Sequence, residues 1–244
     1  MTWPFENDTS GIVKRISNRS ISANRKRNIF IVLTIVLASA LLSAIVLYGF
    51  GVMQETQNRN QKTAQIMYHA ISEQQGQELY KQEEIAWVGE FFNAFSEQVN
   101  HSTVNFTYAN ADMLKSQSML YSGDLPASEN EIVVQESFLD SLGYSNELGQ
   151  TIQIPFSDGT THDFKLTGIL DVKTGDIGRY TAIISKELVR QQYGDGGMID
   201  YYIGLKGAQN MSEEEATNYA NTLAQQLKIS DDNVIVRSTY FNLK

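Results

Sequence analysis

The run from Ile29 to Met53, IFIVLTIVLASALLSAIVLYGFGVM, holds 25 residues without a charge and constrains everything around it. At about 1.5 Å per residue a helix of this length reaches roughly 37 Å, more than a hydrocarbon layer of about 30 Å. Fifteen of its residues are Ile, Leu, Val or Phe. At about −0.3 to −0.6 kcal/mol each, insertion gains roughly 5 to 9 kcal/mol as an upper bound. A buried core helix seldom runs so far without a polar side, so the stretch reads as a transmembrane helix. The rival reading is a cleaved signal peptide, because Ala38-Ser39-Ala40 is an A-x-A pattern. Cleavage there would leave an apolar new N-terminus, and 28 residues precede the run where a signal peptide has a short leader. A retained anchor fits better.

Charge gives the orientation. Residues 1–28 carry Lys14, Arg15, Arg19, Arg25, Lys26 and Arg27 against Glu6 and Asp8, a net of +4. The remaining residues hold 13 basic and 26 acidic side chains, a net of −13. The positive-inside tendency then places the N-terminus in the cytoplasm and everything after Met53 outside the cell membrane. Trp3 and Phe5 suit the inner interface, and Tyr48 and Phe50 the outer one.

About 190 residues therefore lie outside, enough for one large domain or two small ones with real cores. The chain has no cysteine, which excludes a disulfide scaffold, a thiolate metal site and a cysteine nucleophile. The acidic external part speaks against nucleic acid as a partner. Inside, Ile12, Val13 and Ile16 sit at helical spacing among basic residues. Ser10 to Arg27 reads as an amphipathic helix on anionic membrane lipid, with a disordered basic tail as the alternative. Residues 54–62 are polar and free of Pro and Gly, and Glu55 and Arg59 stand four apart in the favourable order. They are expected to continue the span as a helical stalk.

Residues 63–244 alternate strand and helix signals. Strands are expected at Gln65–Ala70, Ile85–Phe92 and Val104–Tyr108, then at Ile132–Val134, with helices at Glu73–Glu83 and Ala111–Ser118. Gly123-Asp124-Leu125-Pro126 is turn chemistry. Phe138, Leu139 and Leu142 share a helix face, with Gly143 suited to its end. Thr151–Pro155 and Asp163–Val172 flank Ser157-Asp158-Gly159, a hairpin signal; Phe164, Leu166 and Leu170 are expected to point one way. Further strands are read at Tyr180–Ile184, Ile199–Leu205 and Val234–Val236, and Ser185 caps a short helix ending before Gly194. The strongest helix runs Glu213–Leu227, opened by the Ser212/Glu215 capping box and carrying an apolar stripe. The fold class is α+β with mixed sheets and a smaller β-rich lobe around residues 120–180.

No catalytic constellation rises above background. His69, His101 and His162 fall in different elements without metal-ligand spacing. Asp195-Gly196-Gly197 lacks the lysine and helix of a phosphate loop. Glu213-Glu214-Glu215 complements a helix dipole, and Asp231-Asp232-Asn233 reads as a solvated turn. No cofactor, metal or enzymatic activity is expected.

Taken together these residues resemble the FtsX-like, or MacB-like, permeases of ABC transporters. The opening MTWPFENDTSGI, the basic leader and the R-K-R-N-x-F entry to the span look like the start of such permeases from Firmicutes. GDLPASENEIVVQESFLDSLG, followed by LGQTIQIP and FKLTGIL, looks like the family's extracytoplasmic core domain. The resemblance implies a first transmembrane helix running into an external α/β domain, with at least three more helices to follow in the family. Stopping at Lys244, the sequence departs from that pattern and looks like an N-terminal portion or a truncated form. The resemblance further implies a separate ATPase partner contacted through regions beyond this chain, and a second permease half or homodimer partner. Peptides or envelope lipids are the implied substrates, in a Gram-positive cell, with ATP-driven motion passed outward by mechanotransmission. The alternative is a single-pass anchored extracellular binding or sensor domain that works without an ATPase. An anchored envelope enzyme is a third reading, and the motif search gives it no support.

Overall fold

A break at Asn24 separates the first two helices of the computed structural model, which describes residues 9–171, 179–194 and 199–241. Helix α1 spans Ser10–Ala23 and α2 spans Arg25–Lys62. Asn24 leaves helical geometry, with φ −105° and ψ 22°, which ends the first helix, and its amide side chain donates back to the Ser20 carbonyl at 3.2 Å. Helix α2 is continuous for 38 residues. The chain divides into two units, Met1–Thr56 and Gln57–Lys244.

The second unit is built on one mixed sheet. Its strands are β1 (Ile66–Ile71), β2 (Ile85–Val99), β3 (Ser102–Ala109), β4 (Leu120–Gly123) and β5 (Glu131–Gln135), then β6 (Thr151–Pro155), β7 (Thr161–Asp171), β8 (Arg179–Ile184), β9 (Ile199–Leu205) and β10 (Val234–Val236). The order is β10-β1-β9-β2-β3-β8-β5-β7-β4, with β6 paired to β7. Pairs β3–β8 and β5–β7 are parallel and the others antiparallel. Strands from residues 120 to 184 fill one end of the sheet; the first and last strands of the unit fill the other. Five helices accompany it: α3 (Glu73–Leu79), α4 (Ala111–Ser116), α5 (Glu136–Leu142), α6 (Lys186–Tyr193) and α7 (Glu213–Leu227). A last turn of helix, α8 (Ser238–Phe241), follows β10.

Three cores result. On one sheet face α3 and α7 pack on β1, β9 and the start of β2, with Tyr68, Tyr201, Ile66 and Leu79 fully buried. On the same face α5 and α6 cover β3, β5, β6, β7 and β8 around Phe106, Phe138 and Ile152. Phe92 and Tyr108, opposite each other across β2 and β3, touch both cores and form the seam. The opposite face carries a smaller core of Met113 and Leu114 from α4 against Ala109, Val133, Leu170 and Ile183.

Local chemistry explains the elements. Ser212 and Glu215 exchange both hydrogen bonds of a capping box at the start of α7, as Ser72 and Gln75 do for α3. Helix α5 ends on Gly143 with φ +78°, in the left-handed region expected there. Two expected helices are shorter than read: Glu73–Glu83 ends at Leu79 and Ala111–Ser118 at Ser116. The strands read as Ile85–Phe92 and Val104–Tyr108 are a single long hairpin, closed by Asn100 and His101 with φ +49° and +65°, the two positive values a tight primed turn demands. Strand β4 occupies the stretch leading into the turn read at Gly123.

The expectation for Leu170 is corrected. Ile132 pairs Leu166 but Val133 pairs Gly168, so Thr167 is an extra residue on β7. Such a bulge turns the rest of the strand over. Phe164 and Leu166 stay under α5 and α6, while Leu170 points into the core beneath α4.

Candidate functional site

Sequence-predicted site residues all fall on the first two helices. Lys14, Arg15 and Arg19 lie on α1 and are exposed, as are Ile12, Val13 and Ile16. Arg25, Lys26 and Arg27 form the exposed first turn of α2; Ile29 follows one turn on, and Met53 lies further along the same helix. Residues Arg25–Val52 are long and apolar enough to cross a membrane, and none of their most apolar window is buried in the protein. Thr34 and Ser39 return their hydroxyls to the carbonyls of Phe30 and Val36, at 2.8 and 2.9 Å. Two hydroxyls of the run are thus satisfied within the helix, which suits an apolar surrounding.

Within the sheet domain, polar chemistry concentrates at the seam between the two larger cores. Glu90, on β2, is buried, its side chain 5% exposed. Its carboxylate accepts from Tyr108 at 2.6 Å, from Tyr80 at 2.9 Å and from the Lys186 ammonium at 2.9 Å. Lys186 also reaches Glu73 at 3.0 Å, and Arg190 donates to Glu73 at 2.6 Å. Asn110 closes the group, accepting from the Glu90 backbone N–H at 3.0 Å and donating to the Val88 carbonyl at 2.9 Å. Two carboxylates and two cations balance. A buried carboxylate is tolerated only when paired and hydrogen-bonded in this way. The hydrogen bond from Arg190 holds the Glu73 carboxyl below the ordinary glutamate range, and burial, then the Glu90 charge, pushes the Tyr108 and Tyr80 phenols up.

This hub joins helices that belong to different cores. Glu73 is on α3, under the first core, and Lys186 and Arg190 are on α6, under the second. Tyr201 lies beside it, its hydroxyl buried without a hydrogen-bond partner among the described residues. Its ring lies so close to α3 that a Cβ on Gly76 would meet it at 2.0 Å. Sequence reading missed the hub. One signal was present: Glu90 is a lone carboxylate inside an otherwise apolar strand, IAWVGEFF.

Two cavities open on the domain. One, of about 250 Å³, lies beside α4 and is lined by neutral groups, Asn93, Asn105, Thr107, Gln117 and Thr181 among apolar neighbours. The other, of about 300 Å³, has Phe95, Phe156, Phe164 and Leu188 on its apolar side, with Glu129 and Asp163 among its polar lining.

The remaining sequence candidates stay apart. His69 pairs with Asp200 at 2.6 Å, His101 sits in the β2–β3 turn, and His162 stacks on Phe156 with ring centroids 4.2 Å apart. Glu213, Glu214 and Glu215 occupy the first turn of α7, and Asp231-Asp232-Asn233 forms a 3-10 turn. Asp195-Gly196-Gly197 lies outside the described residues. Among the described residues no group of three or more His, Asp or Glu could hold a metal ion.

The described residues thus combine one helix long and apolar enough to cross a membrane with a mixed α/β sheet domain. Residues 29–223 match the family described as MacB-like periplasmic core domain, and the chain belongs to that family. Among solved structures, the extracellular domain of the noncanonic ABC-type transporter YknZ from Gram-positive bacteria aligns with a TM-score of 0.51 at 9% identity, over 72% of this chain and 100% of that one. The likeness at that identity is one of fold. The periplasmic region of MacB from Actinobacillus actinomycetemcomitans aligns with a TM-score of 0.49 at 13% identity, over 70% of this chain and 86% of that one. No curated protein sequence matches the chain.

Proposed function

We propose that the chain is the first membrane helix and external domain of an ABC-type permease, anchored through Ile29–Met53 with its N-terminus in the cytoplasm. In this reading Lys14, Arg15 and Arg19 hold α1 against anionic lipid on the inner surface, and Arg25, Lys26 and Arg27 fix the orientation of the span. Residues 54–62 form the stalk, and the sheet domain from residue 63 lies outside, with its β-rich part around residues 120–180.

The observation that carries the proposal is the continuity of α2. Its 38 residues include the candidate span and end at Lys62, four residues before β1 begins, in a chain of the MacB-like family. A permease of this type binds no ATP itself. A partner ATPase supplies the energy through regions beyond this chain, a second permease half or a second copy completes the pore-side assembly, and the external domain acts on peptides or envelope lipids.

The test is copurification of the full-length protein with an ATPase encoded beside it, followed by ATPase assays across envelope peptides and lipids. Stable copurification and stimulated turnover support the proposal. A protein that never recruits an ATPase, yet binds an external ligand, is an anchored receptor instead.

A further inference from the structure

We infer that the cavity between β2, the β6–β7 hairpin and α6 is a recognition site for a lysine side chain presented by a peptide. The inference does not depend on the transporter reading, since it concerns what this domain binds by itself.

The site is assembled from four separate parts of the chain: β2, the segment at Glu129 and Asn130 that leads into β5, the β6–β7 hairpin and α6. Phe95 enters from β2, where Ala94 is an extra residue between the pairs Asn93–Thr107 and Phe95–Phe106. That bulge turns Phe95 onto the helix-covered face, where it stacks on Phe106 with centroids 4.6 Å apart. Phe156 closes on both rings at 5.8 and 5.5 Å. Phe164 and Leu188, nearly buried, complete an apolar trough. The hairpin loop that carries Phe156 is fastened in place. Ser157 donates both its N–H and its hydroxyl to Glu97, at 2.9 and 2.7 Å, and Thr160 does the same to Asp158, at 2.8 and 2.6 Å. The trough is therefore preformed rather than made on binding.

Its polar lining carries two carboxylates. Glu129 and Asp163 supply them, beside Asn130, Gln191, Gln192 and the His162 imidazole, and the described lining holds no lysine or arginine. Asp163 accepts one hydrogen bond, from Gln153 at 2.9 Å. Glu129 has no hydrogen bond or ion pair among the described residues, so its acceptor positions are open to a ligand. Carboxylates make charge-assisted bonds to an ammonium. The four methylenes of lysine suit the Phe floor, leaving the ammonium at the carboxylates. The net charge of −13 beyond residue 28 draws basic peptides toward the domain before contact.

The experiment uses the full chain in phosphatidylcholine nanodiscs, whose neutral surface does not itself collect basic peptides. An NMR titration follows Leu188 methyl and Phe156 ring signals with acetyl-Gly-Gly-Lys-Gly-Gly-amide and its norleucine counterpart. The lysine peptide is expected to bind at least about tenfold more tightly than the norleucine peptide. Glu129→Gln should remove most of that margin while leaving the melting temperature unchanged, since the group has no partner to lose. Asp232→Asn, a remote carboxylate change, should leave it intact. Equal affinity for the two peptides overturns the inference. So does an equal loss in Asp232→Asn, which would show only the general field of an acidic domain.

Discussion

Lys186 touches both carboxylates of the seam, so its loss is felt twice. Lys186→Met leaves Glu90 buried against two phenols with no cation, and removing one partner of a buried pair costs about 3–5 kcal/mol. Combining it with Glu90→Gln should recover a good part of that loss, because an amide can be satisfied by Tyr80 and Tyr108 without a counter-charge. Equilibrium denaturation of the two variants in detergent checks the pair; equal stability of the single and double variants would contradict it. Glu73 gives the hub a pH dependence with a definite sign. Its folded value lies below the ordinary 4.5 because Arg190 donates to it. The contribution is therefore fully present above about pH 4.5 and fades as pH falls through the folded value. Arg190→Met should flatten the stability curve in that acid range, as followed by circular dichroism. Gly76→Ala reverses the usual rule that alanine strengthens a helix. Its methyl meets the buried Tyr201 ring, and overpacking of this kind costs about 1–3 kcal/mol, measurable as a lowered melting temperature.

Elements with complete local signals were legible in the sequence. Helix α7 carries its start in Ser212 and Glu215 and its face in Ala216, Ala220, Leu223 and Ala224, all buried. Strands β9 and β10 begin and end where the apolar runs do. Ser212→Ala should cost about 1 kcal/mol through loss of the cap, read from thermal unfolding. What escaped were features fixed by a neighbour in space. An extra residue at Ala94 or Thr167 leaves no mark in composition, yet each turns over everything beyond it. Leu170 was misplaced for that reason, and Phe95 could not be assigned to a face at all. The helix starting at Glu73 reads as continuing past Leu79 because Tyr80 and Gln82 are acceptable helix residues. Past Leu79 the bonding changes: the Lys81 and Gln82 N–H groups donate only three residues back, to Glu78 and Leu79, and the Gln82 side chain takes the Glu78 carbonyl at 3.1 Å. The hub itself needs five elements to meet, and only the misplaced charge of Glu90 hinted at it.

At the scale of the whole chain, the asymmetry of charge about one apolar run was the most legible feature, and it leads to a direct test of orientation. The chain has no cysteine, so single substitutions report cleanly. An impermeant maleimide added to intact cells should label Ser230→Cys and leave Ser17→Cys untouched; the reverse pattern would invert the proposed topology. The α+β class also followed from the sequence, whereas joining all ten described strands into one sheet required pairings between β3 and β8 and between β5 and β7 that no local signal announces. The pairing of β1 with β10 has a mechanical consequence. Ile66 faces Val236, and the Arg237 N–H donates to the Gln65 carbonyl at 2.8 Å, so the two ends of the folded domain are stitched side by side. Tension pulling those ends apart would peel that short ladder open one rung at a time, whereas a push shared by both ends loads no rung.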